Sequence, residues 1–137
     1  MASAEMEAWC PGYRFIGVAR LPDHRLELRR RSIRWRGGAV DIVPAPGEVV
    51  WGALYELPEG ALERLDRKEG EGLAYRRRQV EVELGSDRRV AVAYEVMRKE
   101  PEEVTPSPEY VRLLAEGARE RSLPEPYVRR LERRAAP

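Results

Sequence analysis

The sequence has very few of the side chains on which many enzyme mechanisms depend. Among its 137 residues there is one cysteine, Cys10, and one histidine, His24. An internal disulfide is therefore excluded, and a zinc site built from cysteine and histidine would have at most two of its usual ligands. A Ser-His-Asp or Cys-His mechanism would have to use His24. If the chain is an enzyme, we expect its acid–base chemistry to rest on carboxylates, without a metal or other cofactor.

Long hydrophobic runs are also missing. The longest apolar stretch, around Val49–Tyr55, is far shorter than the ~20 residues that a membrane-spanning helix needs. The first residues have neither a basic start nor an apolar core, so they do not resemble a signal peptide. We therefore expect a cytoplasmic protein that does not associate with a membrane.

Neither sign of charge is in excess. There are 25 basic and 24 acidic residues, and only two of the basic residues, Lys68 and Lys99, are lysine. A dedicated nucleic-acid-binding domain is usually strongly basic, so nucleic acid is not the expected partner. The stretch Arg29–Arg36 does enclose Trp35, and alternating basic and aromatic residues are typical of single-strand binding. We favour the alternative, an exposed loop in an arginine-rich protein.

The order of patterns along the chain predicts one α+β domain over residues 1–137. We expect a small curved mixed sheet or barrel, with one inserted helix and further helices at the C-terminus. The predicted strands are Tyr13–Leu21, Arg25–Leu28, Ala39–Pro44, Glu48–Leu57, Tyr75–Leu84 and Val90–Val96, with turns at Pro22-Asp23, Ala45–Gly47 and Gly85–Asp87. The predicted helices begin at Pro58, at Pro108 and at Leu123-Pro124.

The strand Glu48–Leu57 is the most apolar of these. A nearly continuous apolar run is typical of a strand that is buried on both faces, so we expect a central position in the sheet. Gly52 lies inside it, and a glycine within a strand indicates a bulge or a close backbone approach.

One carboxylate stands out as a candidate acid–base group. Glu69 comes at the end of the inserted helix, directly before Gly70. The negative end of a helix dipole disfavours a carboxylate, and shielding from water would raise its pKa further. A carboxyl group with a raised pKa can accept and donate a proton near neutral pH. The structural alternative is a solvated carboxylate before a capping glycine.

Four other residues are weaker candidates. His24 could act as a base, although a solvent-facing turn histidine is the more common arrangement. Cys10 could be a reactive thiol, although a buried cysteine is more common. Tyr75 and Tyr110 follow loops that contain glycine or proline, where a phenol can line a pocket, although a packed aromatic residue with its hydroxyl at the surface is the more common arrangement.

Taken together, the sequence resembles the gamma-glutamyl cyclotransferase-like family from about Cys10 to Leu131. The segments that carry the resemblance are Gly17–Leu21, Gly38–Val43, Val50–Tyr55, Leu65–Gly70 with Tyr75, Thr105–Tyr110, Gly117-Ala118 and Leu123–Tyr127. The resemblance implies a small barrel-like fold with a pocket at one end. It also implies an enzyme that cyclises a gamma-glutamyl amine to 5-oxoproline and releases the amine. Glu69 would be the general acid/base, and Tyr75, Tyr110 and Gly52 would line the substrate pocket.

In one respect the sequence departs from this family. Family members typically begin with a strand that ends in a Tyr-Gly-Ser-Asn loop, whereas Met1–Met6 resembles the helix that follows this loop. Either the sequence starts at a downstream methionine of a longer protein, or the domain is N-terminally shortened. We expect the shortened domain, with an unpaired strand edge that could support a homodimer. The alternative function is a non-catalytic member of the same fold that binds a small ligand or a protein.

Overall fold

In the computed structural model, residues 3–69 and 74–134 are described. Strands and helices follow in the order α1 (Ser3–Trp9), β1 (Arg14–Ser32), β2 (Gly37–Glu56), α2 (Ala61–Glu69), β3 (Tyr75–Leu84), β4 (Asp87–Val96), α3 (Pro108–Glu120) and α4 (Glu125–Arg133). The four strands form one sheet in the order β2-β1-β3-β4, and all described pairings are antiparallel. The α+β class, the inserted helix and the C-terminal helices are as expected from the sequence.

Two strands are longer than expected because the predicted turns inside them are bulges. Pairing of β1 with β2 shifts register between Pro22 and His24, where Asp23 has a φ of 58°. Opposite it, Gly47 has a φ of 82°, and its N–H donates to Asp23 Oδ1 at 2.9 Å. The predicted turns at Pro22-Asp23 and Ala45–Gly47 are therefore wrong, because these residues bend one long hairpin without ending its strands.

The most apolar strand segment does not occupy the centre of the sheet. Glu48–Leu57 falls mostly within β2, which is an edge strand in the part of the chain that the structure describes. Its apolar residues pack against helices instead. Trp51 packs against the buried cluster of α3 and α4, and Tyr55 packs against a cluster that includes Met6 of α1 and Leu65 of α2. The expected central position is wrong, since helices supply the second buried face.

A buried carboxylate joins the two edge strands. The Asp41 side chain of β2 is fully buried, and its Oδ1 accepts hydrogen bonds from the N–H groups of Ile42 and Val96, both at 2.9 Å. Lys99 Nζ donates to Asp41 Oδ2 at 2.6 Å. Since Val96 ends β4 at the opposite edge, this contact curls the sheet towards a closed shape.

The loop before α3 packs directly on the start of β2. Gly38 N donates to Thr105 O at 2.8 Å, and a Cβ at Gly38 would lie 1.9 Å from Val104 O. Only glycine permits this close approach of two backbones. The loop is thereby held against β2 and leads into α3 next to the sheet.

The two C-terminal helices begin and pack as their sequence patterns predict. Ser107 caps α3 by accepting a hydrogen bond from Tyr110 N, and Pro108 occupies the first turn. The buried side of these helices is formed by Tyr110, Val111, Ala115, Ala118, Tyr127, Val128 and Leu131. The period of these residues is that of an amphipathic helix, so α3 and α4 cover one face of the sheet. None of the described helices combines the length and the apolar character that crossing a membrane requires.

Candidate functional site

A cavity of about 660 Å³ lies between the sheet and the helices α2, α3 and α4. This volume is in the usual range for a small-molecule site. Its wall combines aromatic, apolar and basic side chains with two glycines: Trp35, Trp51, Gly52, Tyr75, Tyr94, Tyr110, Leu114, Gly117, Arg30, Arg34, Arg67, Lys68 and Arg121 are among them. Three of the residues singled out from the sequence, Gly52, Tyr75 and Tyr110, thus line a single cavity.

The two candidate tyrosines are both hydrogen-bonded to one residue near the start of β2. Val40 N donates to the Tyr110 hydroxyl at 3.0 Å, and the Tyr75 hydroxyl donates to Val40 O at 3.3 Å. The Tyr110 ring also packs against Trp35, with a centroid distance of 5.5 Å. These contacts hold both phenols in fixed positions in the cavity wall.

Gly52 lines the cavity, but it forms neither the bulge nor the close backbone approach that a glycine inside a strand indicates. A Cβ at this residue would meet no atom within 4 Å, and pairing with Ala19 continues across it without a register shift. The expectation of a bulge or close backbone approach is wrong. The missing side chain instead leaves open space at the cavity wall.

The end of α2 reaches the cavity and is held there by an acidic residue. Arg67 and Lys68 line the cavity, and the helix ends at Glu69, whose side chain lies outside the described residues. One turn earlier, Asp66 accepts hydrogen bonds from Arg77 of β3 and from the Tyr94 hydroxyl of β4. The hydrogen bond from Arg77 holds the pKa of Asp66 below its ordinary value, so this carboxylate stays ionised and ties α2 to the β3–β4 hairpin.

His24 and Cys10 lie outside this cavity. The His24 ring is half-buried in β1; Nδ1 lies 2.9 Å from Pro22 O and Nε2 lies 2.8 Å from Arg78 Nη2. An Nδ1–H that donates to the carbonyl leaves Nε2 to accept from arginine. The expected solvent-facing turn histidine is therefore wrong, because both ring nitrogens have structural partners. Cys10 is fully buried beside α2, and this burial raises the pKa of its thiol.

The basic stretch Arg29–Arg36 is not an open loop throughout. Arg29 belongs to β1, where its Nε donates to the buried Glu27 at 2.6 Å. Arg30 lies over the Tyr75 ring at 5.6 Å, and Arg34 lies over Trp35 at 5.0 Å. Only the hairpin end of the stretch matches the expected loop. Two arginines of the stretch, Arg30 and Arg34, line the cavity.

Arg121 is a cavity residue that the sequence reasoning did not single out. It is half-buried, its Nε donates to the Tyr55 hydroxyl at 3.1 Å, and its guanidinium lies 4.6 Å from the Phe15 ring centroid. In a chain with so many arginines, nothing in its local sequence marks it. Its place in the cavity depends on the packing of the end of α3 beside β1 and β2, which local sequence does not encode.

A second cavity of about 600 Å³ lies on the other side of Tyr127. Its lining includes Arg25, Glu48, Trp51, Arg130 and Arg134. None of the residues singled out from the sequence as site candidates lies in it. Across residues 3–69 and 74–134, no three histidine, cysteine, aspartate or glutamate side chains group in a way that could hold a metal ion.

Comparison with known proteins agrees with the resemblance in the sequence. A model of the AIG2-like family matches residues 49–131. Gamma-glutamylcyclotransferase of Homo sapiens is 31% identical over an alignment 139 residues long. The alignment covers 89% of this chain and 67% of the relative. The protein of the same name from Mus musculus is 30% identical, with the same coverage. The chain belongs to the gamma-glutamylcyclotransferase-like family.

Similar solved structures have the same fold. One named gamma-glutamyl cyclotransferase superposes with a TM-score of 0.88 at 28% identity, covering 96% of this chain and 80% of the other. YkqA from Bacillus subtilis superposes with a TM-score of 0.80 at 26% identity, covering 97% of this chain and 48% of the other. The predicted family and fold are confirmed, and the relatives' names agree with the expectation of a cyclotransferase-like enzyme. The chain spans about two thirds of the length of the curated relatives it matches.

Proposed function

We propose that this chain cyclises gamma-glutamyl amines to 5-oxoproline and releases the amine. The α-amino nitrogen of the substrate attacks its own γ-carbonyl carbon, a five-membered ring closes, and the bond from that carbon to the leaving nitrogen breaks. The proton lost by the attacking amine goes to the leaving amine. No protein nucleophile, cofactor or water is consumed, which agrees with a chain that has one histidine and one buried cysteine.

The observation that carries the proposal is the shared cavity. The family resemblance assigns substrate binding to Gly52, Tyr75 and Tyr110. All three line the same cavity as Arg67 and Lys68. Glu69 is the next residue of the chain, at the end of the same helix. We assign it the transfer of the proton between the two amines, a task for which one carboxylate is sufficient.

The role of the cavity is mainly to hold the substrate folded. Bringing the amine and the carbonyl of one molecule into reacting geometry contributes several kcal/mol, because the entropy of the encounter is already lost on binding. The fixed phenols of Tyr75 and Tyr110 are suited to this task, since their hydrogen bonds to Val40 prevent reorientation. The open space at Gly52 leaves room for the substrate beside β2.

The test is release of 5-oxoproline from a gamma-glutamyl dipeptide by the wild-type chain and two variants. Glu69→Gln should lower kcat by about 10²- to 10⁴-fold, the usual contribution of a general acid/base. Glu63→Gln is the matched control, because Glu63 is an exposed residue of the same helix, and it should retain wild-type activity. Full activity of Glu69→Gln would refute the role of Glu69. Dipeptide binding without any turnover by the wild type would support the non-catalytic alternative.

A further inference from the structure

The charge of the cavity is much more positive than that of the chain. Its described lining contains five cationic side chains and one carboxylate, Glu5: the cations are Arg30, Arg34, Arg67, Lys68 and Arg121. Lys68 lies 4.0 Å from Glu5, so that pair is partly neutralised. The whole chain has a formal net charge of only +1. The excess of positive charge is therefore concentrated where a ligand would bind, which favours an anionic ligand.

The described surroundings of Arg121 hold its guanidinium in a fixed orientation. Its Nε and Nη2 donate to the hydroxyls of Tyr55 and Tyr13 at 3.1 and 3.3 Å, and its guanidinium lies over the rings of Phe15 and Tyr55. Two phenol hydroxyls and three aromatic rings, those of Tyr13, Phe15 and Tyr55, orient the planar group and leave its charge intact. Such a preorganised guanidinium loses little further entropy when it binds a carboxylate.

Arg121 also retains unused capacity for an anion. No carboxylate of the described residues lies within ion-pair distance of it, whereas Arg119, two residues earlier, pairs with Glu125 and Glu132 at 3.1 and 2.8 Å. A guanidinium has five N–H donors, and the two phenols account for two of them. The remaining donors suit the bidentate geometry of a carboxylate.

Arg121 and the candidate tyrosines are hydrogen-bonded to different parts of β2. Tyr75 and Tyr110 are bound to Val40 near the start of β2, whereas Arg121 is bound to Tyr55 near its end. We assign the reacting end of the substrate to Tyr75 and Tyr110. A group bound by Arg121 then belongs to the other end of the substrate, the leaving amine.

Resting on the proposed function, we infer that the cavity selects gamma-glutamyl substrates whose leaving amine is an acidic amino acid, and that Arg121 binds its side-chain carboxylate. Gamma-glutamyl-glutamate and gamma-glutamyl-glutamine have the same size and differ by one charge. The wild type should prefer the glutamate compound in kcat/KM by about tenfold, which is the effect of one charge-assisted hydrogen bond. The preference should appear mainly in KM, since the side-chain carboxylate takes no part in the bonds that form and break.

The test compares this preference in the wild type, Arg121→Gln and Arg119→Gln. Arg121→Gln should reduce the ratio of the two kcat/KM values to about 1. Arg119→Gln should preserve it, because Arg119 is already paired with Glu125 and Glu132 and does not line the cavity. Equal turnover of both dipeptides by the wild type would overturn the inference while leaving the proposed function in place.

Failure of the proposed function gives a different result, namely that the wild type turns over neither dipeptide. Binding calorimetry with the two dipeptides then measures charge recognition without catalysis. Tighter binding of gamma-glutamyl-glutamate that is lost in Arg121→Gln would still support the carboxylate site. Equal affinities in wild type and variant would refute it.

Discussion

At the scale of single residues, a buried carboxylate in β1, that of Glu27, stabilises the fold through its arginine partners. Glu27 in β1 is almost completely buried, and it receives hydrogen bonds from Arg25 and Arg29, both at 2.6 Å. Burial alone would raise the pKa of Glu27, but the hydrogen bonds from Arg29 and Arg25 outweigh it and hold the pKa below its ordinary value of 4.5. The folded state therefore depends on the ionised form of this side chain.

This dependence predicts a pH-sensitive stability difference for Glu27→Gln. Because the pKa of Glu27 is lower in the folded chain, its contribution is fully present above pH 4.5 and is lost as the pH falls through the folded value. At pH 7 the variant should be less stable by about 1–2 kcal/mol, since both arginines are partly exposed. Urea unfolding at pH 7, 5 and 3 measures the difference, which should shrink at the lowest pH.

The control for this measurement is Glu81→Gln. Glu81 is exposed and pairs with the exposed Arg88 at 3.3 Å, so its replacement should change the free energy of unfolding by less than about 0.5 kcal/mol. A Glu27→Gln difference that stays the same from pH 7 to pH 3 would contradict a stabilising role for the ionised carboxylate.

At the scale of elements, the sequence predicts what depends on neighbouring residues and misses what depends on distant ones. The periodic apolar residues of α3 and α4 and the turn residues Gly85–Asp87 are local signals, and both helices and the β3–β4 hairpin form as expected. Pro22-Asp23 and Ala45–Gly47 have the composition of turns, yet each lies opposite the other in a long hairpin. Local composition does not distinguish a chain reversal from a bulge that bends a paired strand.

Two glycines of β2 have different roles: Gly38 contributes to the stability of the fold, and Gly52 contributes to the cavity. Gly38→Ala places a methyl group against the Val104 carbonyl, so it should destabilise the fold by about 1–3 kcal/mol. Gly52→Ala has open space for its methyl group and should not lower the melting temperature. Since Gly52 lines the cavity, the same change should raise KM for a gamma-glutamyl dipeptide about two- to tenfold.

Thermal unfolding and steady-state kinetics on the two variants separate these roles. The result that would count against this account is a Gly52→Ala variant with wild-type KM, because substrate would then not approach β2 at this point. An unchanged melting temperature for Gly38→Ala would show that the loop before α3 can move away from β2 at little cost.

At the scale of the whole molecule, the site is formed by elements that are far apart in sequence. Gly52, Tyr75 and Tyr110 come from β2, β3 and α3, and their shared cavity was predictable only through the family resemblance. Arg121 is a cavity residue that could not be predicted from the sequence. The near-neutral total charge gave no indication that cations gather at this cavity, since their clustering depends on how β1, α2 and α3 pack together.

The central claim is that the substrate's own amine displaces the leaving amine, without water. The most direct test is to incubate the wild-type chain with a gamma-glutamyl dipeptide in ¹⁸O-labelled water and to identify the products by mass spectrometry. We predict equal amounts of 5-oxoproline and free amino acid, with no ¹⁸O in either product. Formation of free glutamate that carries ¹⁸O would contradict the account, because it would show that water attacks the γ-carbonyl carbon.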